Sequence, residues 1–114
     1  MTDCLFCKMV TGEIKPDTVY EDEDVLAFRD INPQAPTHVL VVPKQHVATL
    51  NDLDKSNIHL VGKMMLAATA IAEQEGFAEQ GYRTVMNCNA DGGQTVFHIH
   101  LHLLGGRIMH WPPG

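Results

Sequence analysis

The chain has 114 residues and a formal charge of -6 at pH 7, with 14 acidic residues against 8 basic ones. This length predicts one domain, residues 1–114, large enough for a single hydrophobic core. The negative charge argues against broad binding to nucleic acid or to an anionic membrane, because both need a basic patch. We therefore expect any phosphate-bearing ligand to be held locally, by backbone amides, histidines or a few cations.

The N-terminus and the cysteines indicate a reducing compartment. Met1-Thr2-Asp3-Cys4 has no basic region followed by an apolar run, so we expect no signal peptide. No segment approaches the roughly 18 apolar residues of a membrane span. The 3 cysteines are an odd number, and without an export signal a disulfide framework is not expected. The predicted location is the cytoplasm.

The first pattern along the chain is Cys4-Leu5-Phe6-Cys7. A Cys-x-x-Cys pair is half of a four-ligand zinc site, whereas a redox role would need a thioredoxin-like βαβ context that is missing here. The alternative is two incidental small residues in a first helical turn. Residues 5–12 are predicted to form a short helix that stops at Gly12.

Three strands are predicted next. Residues 16–21 and 25–29 are joined by the acidic turn 21–24, which lacks the spacing of a calcium-binding loop and is interpreted as a solvated turn. Residues 32–36 form a loop, because two prolines exclude regular structure. Residues 37–43 are nearly all apolar, which predicts a strand in the middle of the sheet.

A long helix is predicted over residues 53–75. Asp52 or Asp54 is expected to cap its start and Gly76 its end. Apolar residues at i, i+3 and i+4 spacing predict its buried face. These residues are Ile58, Val61, Met65, Ala68 and Ala72, and Met64 is also expected in the core.

Residues 82–88 form another predicted strand, and residues 89–95 connect it to the last one. Gly92-Gly93 lets backbone amides approach an anion closely, although a glycine pair in a hairpin is often only a turn. The segment is not a P-loop, because it lacks Gly-Lys-Ser/Thr. We interpret it as an anion-binding turn, because it leads into a strand rich in histidine.

In that last strand, residues 97–104, three histidines alternate with apolar residues. The period of two predicts that the imidazoles line one face and the apolar side chains face a core. The residues predicted to face the core are Phe97, Ile99, Leu101 and Leu103. At roughly 3.3 Å per residue, His98 lies about 7 Å from His100 and about 13 Å from His102 along the strand. One metal could bind two neighbours but not all three, so we expect different roles for the three histidines.

These motifs together resemble the histidine triad (HIT) superfamily. His98-Ile99-His100-Leu101-His102-Leu103-Leu104 resembles its His-x-His-x-His-x-x signature, with x apolar. The segments 30–38 and 104–114 resemble its histidine triad nucleotide-binding (Hint) branch, and the resemblance extends from about Leu5 to Gly114. It implies a five-stranded antiparallel sheet with one long and one short helix, continued across a homodimer. The order of elements likewise predicts an α+β fold, with helices at one side of the sheet.

The resemblance also implies a structural zinc site and no catalytic cofactor. In members with an N-terminal cysteine pair, two histidines complete the ligand set, and the matching residues here are Cys4, Cys7, His46 and His98. Cys88 is a competing fourth ligand, although packing on a strand is the preferred interpretation. Many Hint-branch proteins lack the cysteine pair, so this chain combines features of two branches.

For catalysis, the resemblance implies that His100 attacks phosphorus and forms a nucleotidyl-histidine intermediate. A neutral imidazole is a good nucleophile near pH 7. His102 would hydrogen-bond the phosphate or help protonate the leaving group, and His38 would orient His102. The residues implied in nucleotide binding are Phe28, Asp30, Ile31, Asn87, Gly93, Thr95, His100, His102 and Trp111, with Trp111 contributed to the other subunit.

The implied activity is that of a purine nucleoside phosphoramidase, which hydrolyses the P–N bond of adenosine or guanosine 5′-phosphoramidates and of related aminoacyl-adenylates. The alternatives are a hydrolase of dinucleoside polyphosphates, a nucleotidyl transferase, and a regulatory module that binds purine nucleotides without turnover. The tail Trp111-Pro112-Pro113-Gly114 favours the phosphoramidase over the polyphosphate hydrolase. The complete triad argues against a module without turnover.

Overall fold

The computed structural model describes residues 3–114. Met1 and Thr2, on which the expected absence of a signal peptide partly rests, lie outside this range. The elements of the described range are α1 (Leu5–Val10), β1 (Thr18–Glu21), β2 (Val25–Arg29), β3 (Thr37–Pro43), a 3₁₀ helix (Leu50–Asp52), α2 (His59–Glu75), β4 (Tyr82–Val85), α3 (Asn89–Gly92) and β5 (Leu101–Gly105).

The five strands form one antiparallel sheet in the order β1-β2-β3-β5-β4. This confirms the predicted sheet and the central position of β3. Strand β3 is apolar along most of its length because both of its faces are buried. Val39 and Val41 point into the main core, whereas Leu40 and Val42 belong to a second cluster on the opposite face.

The two faces of the sheet are covered by different helices, so the prediction of helices at one side is wrong. Helix α2 packs over the main core, which includes Met64 and Ile71. Helix α1 covers the other face, where Phe6 packs with Phe28 and Leu40. A central strand that is apolar on both faces requires cover on both, and this determines where the short helix lies.

Helix α2 begins later than predicted, at His59 rather than at residue 53. The two candidate capping residues are engaged elsewhere. The Asp52 carboxylate closes a capping box with Thr49 in the 3₁₀ helix, and the Asp54 carboxylate accepts a hydrogen bond from the Ser56 amide. Short polar side chains that bond to nearby backbone groups favour such turns over a helix. The predicted end is confirmed, because Gly76 caps the helix with φ of 88°.

The buried face of α2 also differs from the prediction. Ala68 and Ala72 are buried as expected, as is Met64, but Ile58 and Met65 are 51% and 39% exposed. The buried residues of the helix are Leu60, Met64, Ala67, Ala68, Ile71 and Ala72. Leu60 and Met64 each precede a residue of the predicted face, Val61 and Met65. Two neighbouring rows of apolar residues therefore fit the same helical periodicity, and the structure buries the other row. No helix within residues 3–114 is long and apolar enough to cross a membrane.

The region from β4 to β5 is less regular than predicted. Strand β4 ends at Val85 rather than at residue 88, and α3 replaces the expected simple turn. Strand β5 begins at Leu101, because the residues before it leave the sheet; the Ile99 amide donates instead to the Val47 carbonyl at 2.8 Å. Three of the four predicted core residues here are confirmed, but Phe97 is 48% exposed.

Candidate active site

Strands β3 and β5 bring His38 and His102 together on the face of the sheet that α1 covers. The Gln34 amide donates to His38 Nδ1 at 3.0 Å, and His38 Nε2 lies 2.9 Å from His102 Nδ1. Because Nδ1 of His38 accepts, the proton of the neutral ring is on Nε2, which donates to His102 Nδ1. His102 in turn carries its proton on Nε2, and this N–H remains available to a ligand.

The hydrogen-bonded rings of His38 and His102 are both neutral at pH 7. Burial lowers the pKa of His38, and the nearby Asp30 carboxylate, 3.4 Å from His38 Nε2, partly opposes that change. Burial lowers the pKa of His102 to about 4, and the neighbouring His100 and His38 rings lower it further. The hydrogen bonds run donor to acceptor from the Gln34 amide through His38 to His102 Nδ1, and this order requires both rings to be neutral.

His100 is held in the opposite tautomer by the backbone carbonyl of His98. Its Nδ1–H donates to the His98 carbonyl at 2.8 Å. The lone pair of the neutral ring is therefore on Nε2. The ring is buried, and its centroid lies 5.0 Å from that of His102. The structure thus places a ring with a lone pair on Nε2 next to a ring that presents an N–H donor.

The residues predicted as metal ligands also lie together. Cys4 is the N-cap of α1, Cys7 follows in its first turn, and the donor atoms of these two residues, His46 and His98 all lie within 4.8 Å of one another. Cys88 belongs neither to this cluster nor to the other group of possible metal ligands within residues 3–114, which is Asp30, His38 and His102. It is instead the N-cap residue of α3.

The geometry of this cluster fits a tetrahedral zinc ion. With Zn–S near 2.3 Å and Zn–N near 2.0–2.1 Å, sulfur and nitrogen ligands lie about 3.6 Å apart and two nitrogens about 3.4 Å apart. The Cys4 and Cys7 sulfurs lie 3.4 and 3.5 Å from His98 Nδ1. Cys7 Sγ lies 3.3 Å from His46 Nδ1, and the two Nδ1 atoms are 3.2 Å apart.

The tautomer of His98 supports the same interpretation. Its Nε2–H donates to the Pro43 carbonyl at 2.7 Å, so the lone pair is on Nδ1, the atom that faces the thiols. Burial lowers the pKa of His98 to about 4, which keeps the ring in the neutral form that a metal requires. The four residues can therefore hold a metal ion.

A cleft of about 360 Å³ contains Phe28, Asp30 and Ile31, all predicted from the sequence. It adjoins the imidazoles through two of its lining residues, because Phe6 packs on the His100 ring and Asp30 lies 3.4 Å from His38 Nε2. Helix α1 contributes Leu5, Phe6 and Met9 to its wall. These three residues were not predicted to belong to the site. For Leu5 and Phe6 the available signal was the Cys-x-x-Cys spacing, because fixing both thiols also fixes the two side chains between them.

The predicted phosphate-side residues lie around α3. Asn87 is half-buried and Thr95 is exposed. Gly93 has φ of 83°, and its amide donates to the Ala90 carbonyl, so it turns the chain and does not point its N–H at a ligand. Within residues 3–114 the Thr95 amide makes no such bond, and Thr95 is therefore the better candidate for an anion donor.

Gln94 is a further residue that sequence reasoning missed. It is buried, and its amide side chain joins three segments. Its Oε1 accepts from the Asn89 amide, and its Nε2 donates to the Ala48 and Val96 carbonyls at 2.8 and 3.1 Å. A glutamine after a glycine pair has no distinctive pattern, so nothing in the sequence marked it.

Trp111 lies in the C-terminal tail and is 82% exposed. The tail is attached to the sheet just before it, where Arg83 donates to the His110 carbonyl at 2.8 Å. A Trp side chain with this exposure can contact a second copy of the protein. Its role in a partner's site stays a prediction.

Three known proteins are similar to this chain over most of its length. Purine nucleoside phosphoramidase from Escherichia coli K12 is 52% identical over 92% of this chain and 88% of its own. A 14 kDa zinc-binding protein from Zea mays is 51% identical, covering 96% and 87%. The crystal structure of a HIT family hydrolase from Legionella pneumophila is 55% identical, with a TM-score of 0.96 over 98% and 100%. The HIT domain model matches residues 11–109, and the chain belongs to the HIT family.

Proposed function

We propose that this protein is a purine nucleoside phosphoramidase, which hydrolyses adenosine or guanosine 5′-phosphoramidates, and related aminoacyl-adenylates, to the nucleoside monophosphate. The observation that carries the proposal is the opposite tautomers of two adjacent rings. His100 presents a lone pair on Nε2 and His102 presents an N–H. The similarity to the E. coli phosphoramidase over most of both chains supports the same activity.

The cleft beside the imidazoles suits a purine nucleoside. Its volume of about 360 Å³ lies within the range of small-molecule sites. Apolar side chains from α1 and β2 form its walls, as a flat aromatic base requires, and Phe28 is among them. The Asp30 carboxylate lies at the same cleft, where it can accept hydrogen bonds from the two ribose hydroxyls.

In the first step the lone pair of His100 Nε2 forms a bond to phosphorus. The P–N bond of the substrate breaks, and the amine leaves with that electron pair and a proton from water. The imidazole becomes positively charged in the nucleotidyl-histidine intermediate. Its Nδ1–H bond to the His98 carbonyl then becomes charge-assisted and stronger.

His102 acts in this step as a hydrogen-bond donor rather than as an acid. Burial keeps its pKa near 4, so the ring is neutral before the reaction, and a neutral imidazole N–H is too weak an acid to protonate an amine. Its Nε2–H instead donates to a phosphoryl oxygen, where negative charge develops. The chain from the Gln34 amide through His38 holds that N–H in place.

In the second step a water oxygen attacks phosphorus and the Nε2–P bond breaks. The electron pair returns to His100 Nε2, the water loses a proton to solvent, and the monophosphate is released. The Thr95 amide and hydroxyl and the Asn87 side chain are the proposed donors to the remaining phosphoryl oxygens. Gln94 holds this segment against the rest of the fold.

Zinc is the proposed occupant of the cluster of Cys4, Cys7, His46 and His98. The donor separations and the similarity to the maize zinc-binding protein support it. The ion would be structural, and the two reaction steps make no use of it. Thiol ligands of this kind persist in a reducing compartment, which supports the cytoplasm as the location.

A homodimer is the proposed assembly. It would add the exposed Trp111 of one subunit to the site of the other, beside the leaving group. Sedimentation of the purified protein tests this part of the proposal. A monomer would remove Trp111 from the proposed site.

The experiment is hydrolysis of an adenosine 5′-phosphoramidate by the parent protein and by His100→Ala, with AMP binding measured in both. Turnover should fall at least about a thousandfold in the variant while AMP still binds. No turnover by the parent, with AMP binding intact, would overturn the phosphoramidase. A parallel assay with a dinucleoside polyphosphate would then separate the other hydrolase from a binding module.

A further inference from the structure

Helix α1 takes part in two sites at once. Cys4 and Cys7 supply two of the four possible metal ligands, while Leu5, Phe6 and Met9 of the same helix line the cleft proposed for the base. The helix has only six residues. A helix this short has no stability of its own in water, so its position depends on what its side chains contact.

Phe6 connects the two sites directly. Its ring is 3% exposed and makes edge-to-face contacts with three other rings. The centroid distances are 5.9 Å to the metal-cluster residue His98, 5.5 Å to Phe28 in the cleft, and 5.1 Å to His100. A displacement of α1 therefore moves the wall of the cleft and loosens the packing on the nucleophilic ring.

The phosphate side of the site has separate supports. Gln94 ties it to the Asn89 amide and to the Ala48 carbonyl, and the His38–His102 chain comes from β3 and β5. None of these hydrogen bonds, within residues 3–114, involves a residue of α1. The hydrogen bonds that hold the phosphate side thus come from outside α1, whereas the wall of the base cleft is partly α1 itself.

We propose that metal binding at the four-ligand cluster sets the affinity for the nucleobase, by fixing α1 as the wall of the cleft, and leaves the affinity for the phosphate unchanged. This inference rests on the proposed binding of a purine nucleotide. Without a metal, α1 is joined to His46 and His98 by contacts of 3.3–3.5 Å between thiol sulfurs and ring nitrogens and by the Phe6 ring, none of which is as strong as a metal–ligand bond. If α1 then occupies its place about a tenth of the time, base affinity falls about tenfold.

The test compares zinc-loaded and chelator-treated protein by calorimetry with two ligands, AMP and ribose 5-phosphate, which lacks the base. We expect AMP to bind about tenfold more weakly after zinc removal and ribose 5-phosphate to change less than about twofold. Equal weakening of both ligands would indicate general loss of structure and would overturn the inference. An unchanged affinity for AMP would overturn it as well.

Three variants sharpen the test. Cys7→Ser should reproduce the loss of AMP affinity with zinc present, whereas the matched control Cys88→Ser, outside the cluster, should not. Phe6→Leu should keep the zinc and still lose AMP affinity, because the ring that joins the two sites is gone. Retention of AMP affinity in both Cys7→Ser and Phe6→Leu would contradict the coupling. Thermal unfolding confirms that each variant is folded.

The outcomes separate this inference from the proposed function. If zinc-loaded protein binds AMP no better than ribose 5-phosphate, the nucleotide site itself is wrong and the coupling falls with it. If it binds AMP better and hydrolyses the phosphoramidate, but zinc removal changes neither affinity, the function stands and the coupling alone is wrong. A chain that takes up no zinc would also overturn the coupling.

Discussion

His98 lies in the candidate metal site and His100 in the candidate active site, and the two sites use the same type of side chain in opposite ways. Each ring donates one N–H to a backbone carbonyl, but His98 does so from Nε2 to Pro43 and His100 from Nδ1 to His98 itself. The first leaves Nδ1 facing two thiols, and the second leaves Nε2 beside His102. The chemistry of each histidine is thus determined by which nitrogen the backbone binds.

Replacing each of the two rings in turn is expected to give the largest effects. His98→Gln should lose zinc but keep turnover within about tenfold, because its carbonyl still accepts from His100. His100→Gln should keep about one zinc per chain and lose turnover at least about a thousandfold. Metal analysis and phosphoramidate hydrolysis give both readouts. A His98→Gln variant as inactive as His100→Gln would show that the two roles are not separate.

The tautomer and orientation of His102 depend on His38. His38→Phe keeps a ring of similar size but removes the donor to His102 Nδ1. The tautomer of His102 is then no longer fixed, and we expect kcat to fall about 10–100-fold, as for other residues that orient an active imidazole. Steady-state kinetics measure this, with AMP affinity changing less than about threefold. His59→Phe, at an exposed position on α2, is the matched control and should leave kcat unchanged.

Gln94 tests the phosphate side of the site. Gln94→Glu removes both Nε2 donors and places a carboxyl group against the Ala48 and Val96 carbonyls in a buried position. We expect a loss of about 1–3 kcal/mol in the free energy of unfolding and weaker binding of ribose 5-phosphate. Urea denaturation and calorimetry measure the two effects. Gln80→Glu at an exposed position is the control, and an equal effect there would contradict the role of Gln94.

The sequence predicted the sheet better than the ends of its elements. Strand β3 and the histidine pattern were clear because the period of two and continuous apolar runs depend only on neighbours in sequence. The start of α2 was placed six residues too early, because the turns that engage Asp52 and Asp54 compete locally with a helix. The alternation predicts Phe97 in the core because it extends from Leu101, where β5 begins, back into residues that lie outside the sheet.

The site was predicted as a set of residue types but not as a geometry. Spacing named the cysteine pair and the three alternating histidines, and the family resemblance added Asp30, His38 and His46 to the residues that the structure brings together. Sequence patterns could not show which ring nitrogen is free, because that depends on carbonyls of Pro43 and His98 fixed only in the fold. They could not mark Gln94 either, since a residue that joins distant segments leaves no local period.

The smallest expected effect is the pH dependence that His102 contributes to stability. Burial lowers its pKa from 6.5 to about 4 in the folded chain, so on acidification the unfolded chain binds the proton first. The contribution is complete above pH 6.5 and is lost as pH falls towards about 4. Because the ring is partly exposed, solvent screening reduces the effect to about 1 kcal/mol.

Urea denaturation of metal-free protein across that pH range measures this effect. Using metal-free protein prevents loss of zinc from contributing to the change in the free energy of unfolding. His102→Gln should lose about 1 kcal/mol less stability than the parent between pH about 6.5 and about 4. His59→Gln, an exposed control, should lose as much as the parent. If His102→Gln also loses as much, His102 is not held neutral by burial. Its N–H would then no longer be confined to the role of a hydrogen-bond donor, and protonation of the leaving amine would return as its role.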